Sequence, residues 1–498
     1  MKTAVMAHAE RIMILLLAGI YIAGQLTHGT WVTPVLGSMV FIAIVLLLPR
    51  LRGMTLWLTA GFLVLGAWLM LVQKADACTW FQAAGMNVTL VTLFVFAPLF
   101  GIPVRLPAYV EALKRFYETT LKSRTLLFAG TQLLTQVMGV FINVGAIPVV
   151  HPIAFVKPQS PLMSRLLAGA MNRGFAGAIF WSPYFAAMAL VTSALSLRWS
   201  ELLPYLLGLA GISFAVSLAV DFKGLLQAER EEQKENADEG TEVNMAREPE
   251  RGAAGSAVTM VSAPPGVAGA AEPVRSEPEA VPAASRPKAG FPAGLAVYLA
   301  SAIAAVLAAE LLLALPMVLV TCFTAVLFPL AWCLFKGYAA TYREGLTNHL
   351  NVTLPALKKE ITLFLAAGFF SGAIGTTGFG ASIPPLLSAV PLPIAFTFSA
   401  AVVVLITATS VIGLHPIVTV TILAASVDPA QVDISLTYFA VLLLGSWGIS
   451  NTISPASAVN NLLAGLFKQP VFDFAVPNYR FAAGMAVVLL LYLAVAVR

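Results

Sequence analysis

The sequence predicts an all-α polytopic membrane protein: about eleven transmembrane helices plus two re-entrant hairpins, in an inverted repeat with two broken helices. Three observations predict this class. Of 498 residues, 59% are apolar and 11% charged, whereas a soluble protein carries about a quarter charged residues. Apolar runs recur that are long enough for a bilayer core of ~30 Å, which takes about 20 helical residues. The two halves of the chain also repeat one order of features. Length alone would suggest about three soluble domains, and the apolar runs overrule that prior.

Residues 1–83 read as N-terminal scaffold helices, with runs at 12–28, 32–49 and 54–72. Lys2 and Arg11 ahead of the first run mark the inner flank of a span rather than a signal peptide, because no small-x-small cleavage site follows. A first repeat covers 84–222: a span at 84–103, a connecting arm at 104–124, a hairpin at 125–155, a broken helix at 162–196 and a span at 201–221. Residues 223–290 hold 12 of the 24 acidic residues and 8 of the 29 Lys+Arg among many Pro, Ala and Gly. Such a stretch buries too little apolar surface to offset ordering entropy, so it is expected to be a disordered cytoplasmic tether. Scaffold helices of the second half follow at 291–359, with runs at 292–313 and 316–335. A second repeat covers 360–498: a span at 360–380, an arm at 381–392, a hairpin at 393–426, a broken helix at 433–465 and a last span at 479–497.

Positive charge collects in short cytoplasmic loops. Lys2, Arg11, Arg50, Arg52, Arg105, Lys114, Arg115, Lys122 and Arg124 share one side if the N-terminus is inside. Lys157 and Arg165 join them only if 125–155 enters and leaves by the same face, which makes that stretch a hairpin. Lys336, Arg343, Lys358 and Lys359 are again inside, and 381–392 carries no charge. The N-terminus and the tether are therefore expected in the cytoplasm and the C-terminus outside, in a plasma or inner membrane. The net charge of +5 reads as topology and not as a nucleic-acid footprint. Cys78, Cys322 and Cys333 make no disulfide framework and no common Cys-based metal site, and the five histidines show no HExxH spacing. No cofactor is expected.

Two textual matches support the repeat. His151-Pro152-Ile153 recurs as His415-Pro416-Ile417, and Ser182-Pro183 recurs as Ser454-Pro455. An odd number of crossings separates the copies, so they are inverted. Inverted repeats with discontinuous helices are the architecture of secondary transporters. Serine followed by proline is a favoured start for a helix. Ser182 and Ser454 are thus expected to begin half-helices whose positive ends attract an anion. The carbonyl ends before them, at Phe180-Trp181 and Thr452-Ile453, are expected to hold a cation. Hairpin tips are expected at Gly139–Gly145 and Ile406–Ser410. Counting back from each HPI sets Asn143 opposite Thr407, Gly145 opposite Thr409 and Ala146 opposite Ser410.

Other polar residues can be ranked. The segments 125–197 and 393–465 contain acidic residues only at Asp428 and Asp433. A carrier of cations would keep an intramembrane carboxylate, so an anion or a neutral polar solute is favoured. In the second broken helix Asn451, Thr452, Ser454 and Ser457 are chosen as site-lining, and Asn460 as glue between helices. Arg173 can pair with an anionic solute or pack in a loop. His151 and His415 can carry protons for coupling, against the plainer reading of packed, hydrogen-bonded histidines. Glu310 reads as interfacial.

The stretch from Asn143 to Ile153 resembles the hairpin signature of the ion transporter superfamily, nearest the divalent-anion:sodium symporters of dicarboxylate and citrate type. Ile142-Asn143-Val144 stands where that pattern has Ser-Asn-Thr, and the second tip reads Ile406-Thr407-Ala408. The resemblance implies a scaffold and a transport domain, a homodimer and an elevator motion. It implies sodium between each tip and the adjacent break, and a carboxylate between the tips. Carried over, Asn143 and Gly145 with the 180–182 break would form one ion site. Thr407 and Ser410 with the 452–454 break would form the other. The function expected is a secondary active transporter of a small anionic solute, coupled to Na⁺ or H⁺. The alternatives are a membrane-embedded enzyme or lipid-handling protein, or a partner-dependent permease subunit.

Overall fold

The computed structural model describes residues 2–247, 289–313 and 315–497. Among them every regular element is helical. Twelve helices are long and apolar enough to cross a membrane, or thirteen with one bent pair, so the protein is an all-α, multi-pass membrane protein.

Helices α1 (Lys2–Thr27), α2 (Val32–Leu47) and α3 (Met54–Val72) occupy the first three apolar runs. The next crossing starts earlier than expected and is built in pieces: α4 (Ala77–Gly85), α5 (Val88–Phe96) and α6 (Gly101–Val104). Pro98 lacks an N–H and falls in the turn of 3₁₀ helix between α5 and α6. The arm α7 (Pro107–Thr119) buries Leu113 and Tyr117 and turns its charged residues outward.

Two four-helix units follow the same plan. The first is α8 (Arg124–Ile142), α9 (Ala146–Ala154), α10 (Pro161–Trp181) and α11 (Ala186–Leu195), of 19, 9, 21 and 10 residues. Between the units lie α12 (Trp199–Arg247), α13 (Ala293–Leu313), α14 (Met317–Phe335), α15 (Ala339–Asn348), α16 (Leu354–Ala356), α17 (Lys358–Gly375) and α18 (Ile383–Leu387). The chain bends by 61° between α17 and the stretch 379–387. The second unit is α19 (Ile394–Val411), α20 (Pro416–Ser426), α21 (Leu436–Ile453) and α22 (Ala458–Phe467), of 18, 11, 18 and 10 residues. The chain closes with α23 (Phe472–Ala475) and α24 (Tyr479–Ala496).

The first pair of each unit is a hairpin. Arg124 Nη1 donates to Gln159 Oε1 at 2.6 Å across 35 positions, so the chain returns after α9 to where α8 began. In the second, Ser399 and Tyr438 hydroxyls lie 2.9 Å apart, so α19 and α21 start together. Each hairpin's long leg then runs parallel to the broken helix that follows. Gly174 faces Gln132, Gly177 faces Gln136 and Ala178 faces Gly139, a register that advances on both helices at once. The two units are opposed, because Asn172 meets the Thr452 carbonyl while Gly448 meets Ala176 and Phe180. The short halves pack reciprocally: α22 covers α9, with Phe467 5.2 Å from the His151 ring, and α11 covers α20.

Three expectations need correction. The tether was expected to be disordered over 223–290, yet α12 continues as helix to Arg247. Its early part is amphipathic and anchored: Leu225 and Ala228 are buried, Glu232 pairs with Arg124 at 2.9 Å and Glu229 accepts from Thr125. Residues 248–288 lie outside the described residues. Glu310 is not interfacial but buried, and its carboxylate accepts the Trp199 and Ser200 N–H groups that open α12. The two HPI triplets are not equivalent places, since Pro152 lies inside α9 while His415 and Pro416 open α20.

Candidate functional site

The first hairpin turns at Asn143–Gly145, inside the expected tip. Asn143 has φ 50° and ψ −135°, a strained backbone that ends α8. Its Oδ1 accepts the Val144 N–H at 2.7 Å, which leaves the amide NH₂ free among the described residues. The second hairpin turns later than expected, at Ile412–His415, with Gly413 at φ 93°. The reason is local: Ile406–Ser410 is helical, and Gly413 takes the positive φ of the turn without a side-chain clash. His415 caps α20 through Nδ1, which accepts the Ile417 N–H at 3.2 Å.

That shift removes two candidates. Thr407 and Thr409 lie within α19, and their hydroxyls donate back to Val403 and Leu405 carbonyls at 2.6 and 2.7 Å. Ser410 is buried, and its hydroxyl has no partner among the described residues.

Both helix breaks exist, and both serines are buried. Their role differs from the expected one: Ser182 and Ser454 end α10 and α21, while α11 and α22 start four residues on. A serine in extended conformation can close a helix as well as open one, and here the proline prolongs the gap. Ser182 Oγ donates to the Val140 carbonyl of the first hairpin at 2.9 Å and accepts the Tyr184 N–H. Ser454 Oγ accepts the Ala456 N–H. Ser457 stands at the start of α22 without capping it, and its hydroxyl donates to Asn451 Oδ1 at 3.0 Å.

Of the carbonyls expected to hold cations, those of Trp181 and Thr452 are engaged by side chains. Trp181 O accepts the Trp199 indole N–H at 2.9 Å. Thr452 O accepts from Asn172 and Asn460, Ser454 O from Asn460 and Pro455 O from Asn461. Among the described residues no side chain reaches the Ile453 carbonyl. Asn460 is the hub of this break and also accepts from Asn172 at 2.6 Å. Sequence reasoning placed Asn460 between helices and Asn172 about two turns before the first break, but not their pairing, which spans 288 positions.

The first tip borders a small cavity, and a relay of rings leads from it to the second turn. Asn143, Tyr184, Phe94 and Pro98 line a cavity of about 40 Å³ beside the first break, room for a water or a small ion. Phe94 stacks on Phe364 at 5.6 Å, and Phe364 lies 5.3 Å from the His415 ring at the second tip. His415 also meets Trp447 of α21 edge-on at 5.8 Å. His151 sits away from the tip, stacked on Phe155 at 4.7 Å. Arg173 turns away from this region: it is buried against Asp221 at 2.7 Å and Asn478 at 2.8 Å.

No family model matches the chain, and no curated protein matches it. Among solved structures, the chain is similar to the YdaH transporter of Alcanivorax borkumensis, whose topology is described as unusual. The two are 14% identical over 88% of this chain and 97% of that one, with a TM-score of 0.47.

Proposed function

We propose that the protein is a secondary active transporter of a small anionic solute, an organic carboxylate, coupled to Na⁺ or H⁺. The observation that carries this reading is the paired architecture. Two opposed units of similar helix lengths each pair a helical hairpin with a broken helix, and in the first unit Ser182 at the break bonds the Val140 carbonyl beside the hairpin tip, next to a small enclosed cavity. Broken backbone within a bilayer is tolerated where it is buried or lines a cavity, and opposed repeats with such breaks place solute sites between them. The two units would be the inverted repeat, working by an elevator motion as in the ion transporter superfamily.

Charge supports an anion. The two units contain acidic residues only at Asp428 and Asp433, in the connection before α21. The first tip presents the free amide of Asn143 beside Gly145, and Ser182 braces it. In the second unit the acceptors left for a coupling ion are the buried, unpartnered Ser410 hydroxyl within α19 and, at the break, the Asn172 Oδ1 and the Ile453 carbonyl. The enclosed space beside the first tip fits an ion and not a carboxylate solute, so solute entry requires the hairpins to part.

The test is uptake of labelled succinate, citrate and phosphate by proteoliposomes holding the full chain, with Na⁺, H⁺ and K⁺ gradients imposed in turn. Uptake driven by one of these gradients is expected. Uptake indifferent to all of them removes the coupled mechanism, and no uptake of any anion removes the carrier.

A further inference from the structure

Arg105 follows α6 and lays its guanidinium against the tip of the first hairpin. A Cβ on Gly145 would fall 2.4 Å from Arg105 Nη2, so the guanidinium touches the tip's backbone and a side chain at 145 would push it aside. The arginine is exposed, and among the described residues it makes no side-chain hydrogen bond or ion pair. The next carboxylate along the chain, Glu111, faces Arg115 instead. Across the same turn the Asn143 amide hydrogens are free, since its oxygen is used by Val144. The free groups of Asn143 and Arg105 at this turn are donors, and one carries a full positive charge; the His349 ring nearby bonds the Val95 carbonyl through Nε2. The planar fork of an arginine matches the two oxygens of a carboxylate or the edge of a phosphate.

We propose that Arg105 is the specificity-determining cation of the solute site, pairing with a carboxylate or other oxyanion held beside the Asn143–Gly145 turn by its guanidinium and the free Asn143 amide. This rests on the carrier reading above and names the side chain that selects the charge. An arginine that merely snorkels to lipid headgroups needs no contact with a hairpin tip and gives no dependence on solute.

The experiment measures anion-dependent thermal shifts of the purified full chain with succinate, inorganic phosphate and chloride, alongside proteoliposome uptake of the same anions. Wild type is expected to respond to succinate or phosphate and not to chloride. Arg105→Gln is expected to weaken that response roughly tenfold or more, the scale of one charge-assisted hydrogen bond, and Arg105→Lys to restore part of it. Gly145→Ala keeps the charge but displaces the guanidinium, and is expected to weaken binding likewise; it serves where the Gln variant does not fold. Wild-type affinity in Arg105→Gln, or in Gly145→Ala where that variant stands in, overturns the assignment of Arg105 while the carrier stands. A wild-type chain that neither binds nor imports any of these anions overturns the carrier, and this assignment with it.

Discussion

Asn460 holds the second break together from one side chain, donating to the Thr452 and Ser454 carbonyls and accepting from Asn172. All of these groups are buried, so truncation leaves carbonyls with no water to turn to. Asn460→Ala is expected to cost roughly 1–3 kcal/mol, read as a lower melting temperature in detergent. Glu10 plays a comparable part in the scaffold. Its carboxylate is 4% exposed and takes Arg50 Nε at 2.9 Å and Lys358 Nζ at 3.2 Å. Both partners remain 31% exposed and solvent-screened, so Glu10→Ala is expected to cost about 1–2 kcal/mol rather than the larger figure for a fully buried pair. A melting curve unchanged by this variant would show that water replaces the carboxylate.

Between elements, a close backbone approach that positions the first hairpin is α8 on α10. A Cβ at Gly174 would lie 2.4 Å from the Gln132 carbonyl oxygen, and neither backbone can yield without separating the helices. Gly174→Ala is expected to destabilise by about 1–3 kcal/mol and to shift the hairpin against its break. Loss of anion-dependent stabilisation beyond the loss in melting temperature is the measurement that separates the two effects. This contact also shows what a sequence pattern conveys at this scale. Hairpins and breaks were legible because turns and gaps need glycine, serine and proline. The second tip was misplaced because a shared HPI triplet was taken as a register mark, whereas Gly413 alone had the conformational freedom the turn uses.

Across the whole molecule, charge and cysteines give an independent test of topology. Glu10, Arg50 and Lys358 meet at one end of the scaffold, which places three loops rich in Lys and Arg on a common side. If that side is cytoplasmic, Cys78 lies on the outer face. Cys78 is exposed whereas Cys322 and Cys333 are buried. A membrane-impermeant maleimide added to intact cells is expected to label the protein once, and Cys78→Ser to abolish the labelling; labelling that appears only after permeabilisation would invert the orientation. Apolar run length and the scarcity of charge determined the all-helical, multi-pass membrane class from sequence alone, because lipid compels every backbone group in a span to bond within its own helix. Which polar atoms are engaged was decided by tertiary structure. The Trp181 carbonyl is taken by Trp199, the Thr452 carbonyl by Asn172, and Arg105 reaches Gly145 across 40 positions of chain. Such pairings depend on how distant helices are brought together, and no local spacing encodes that.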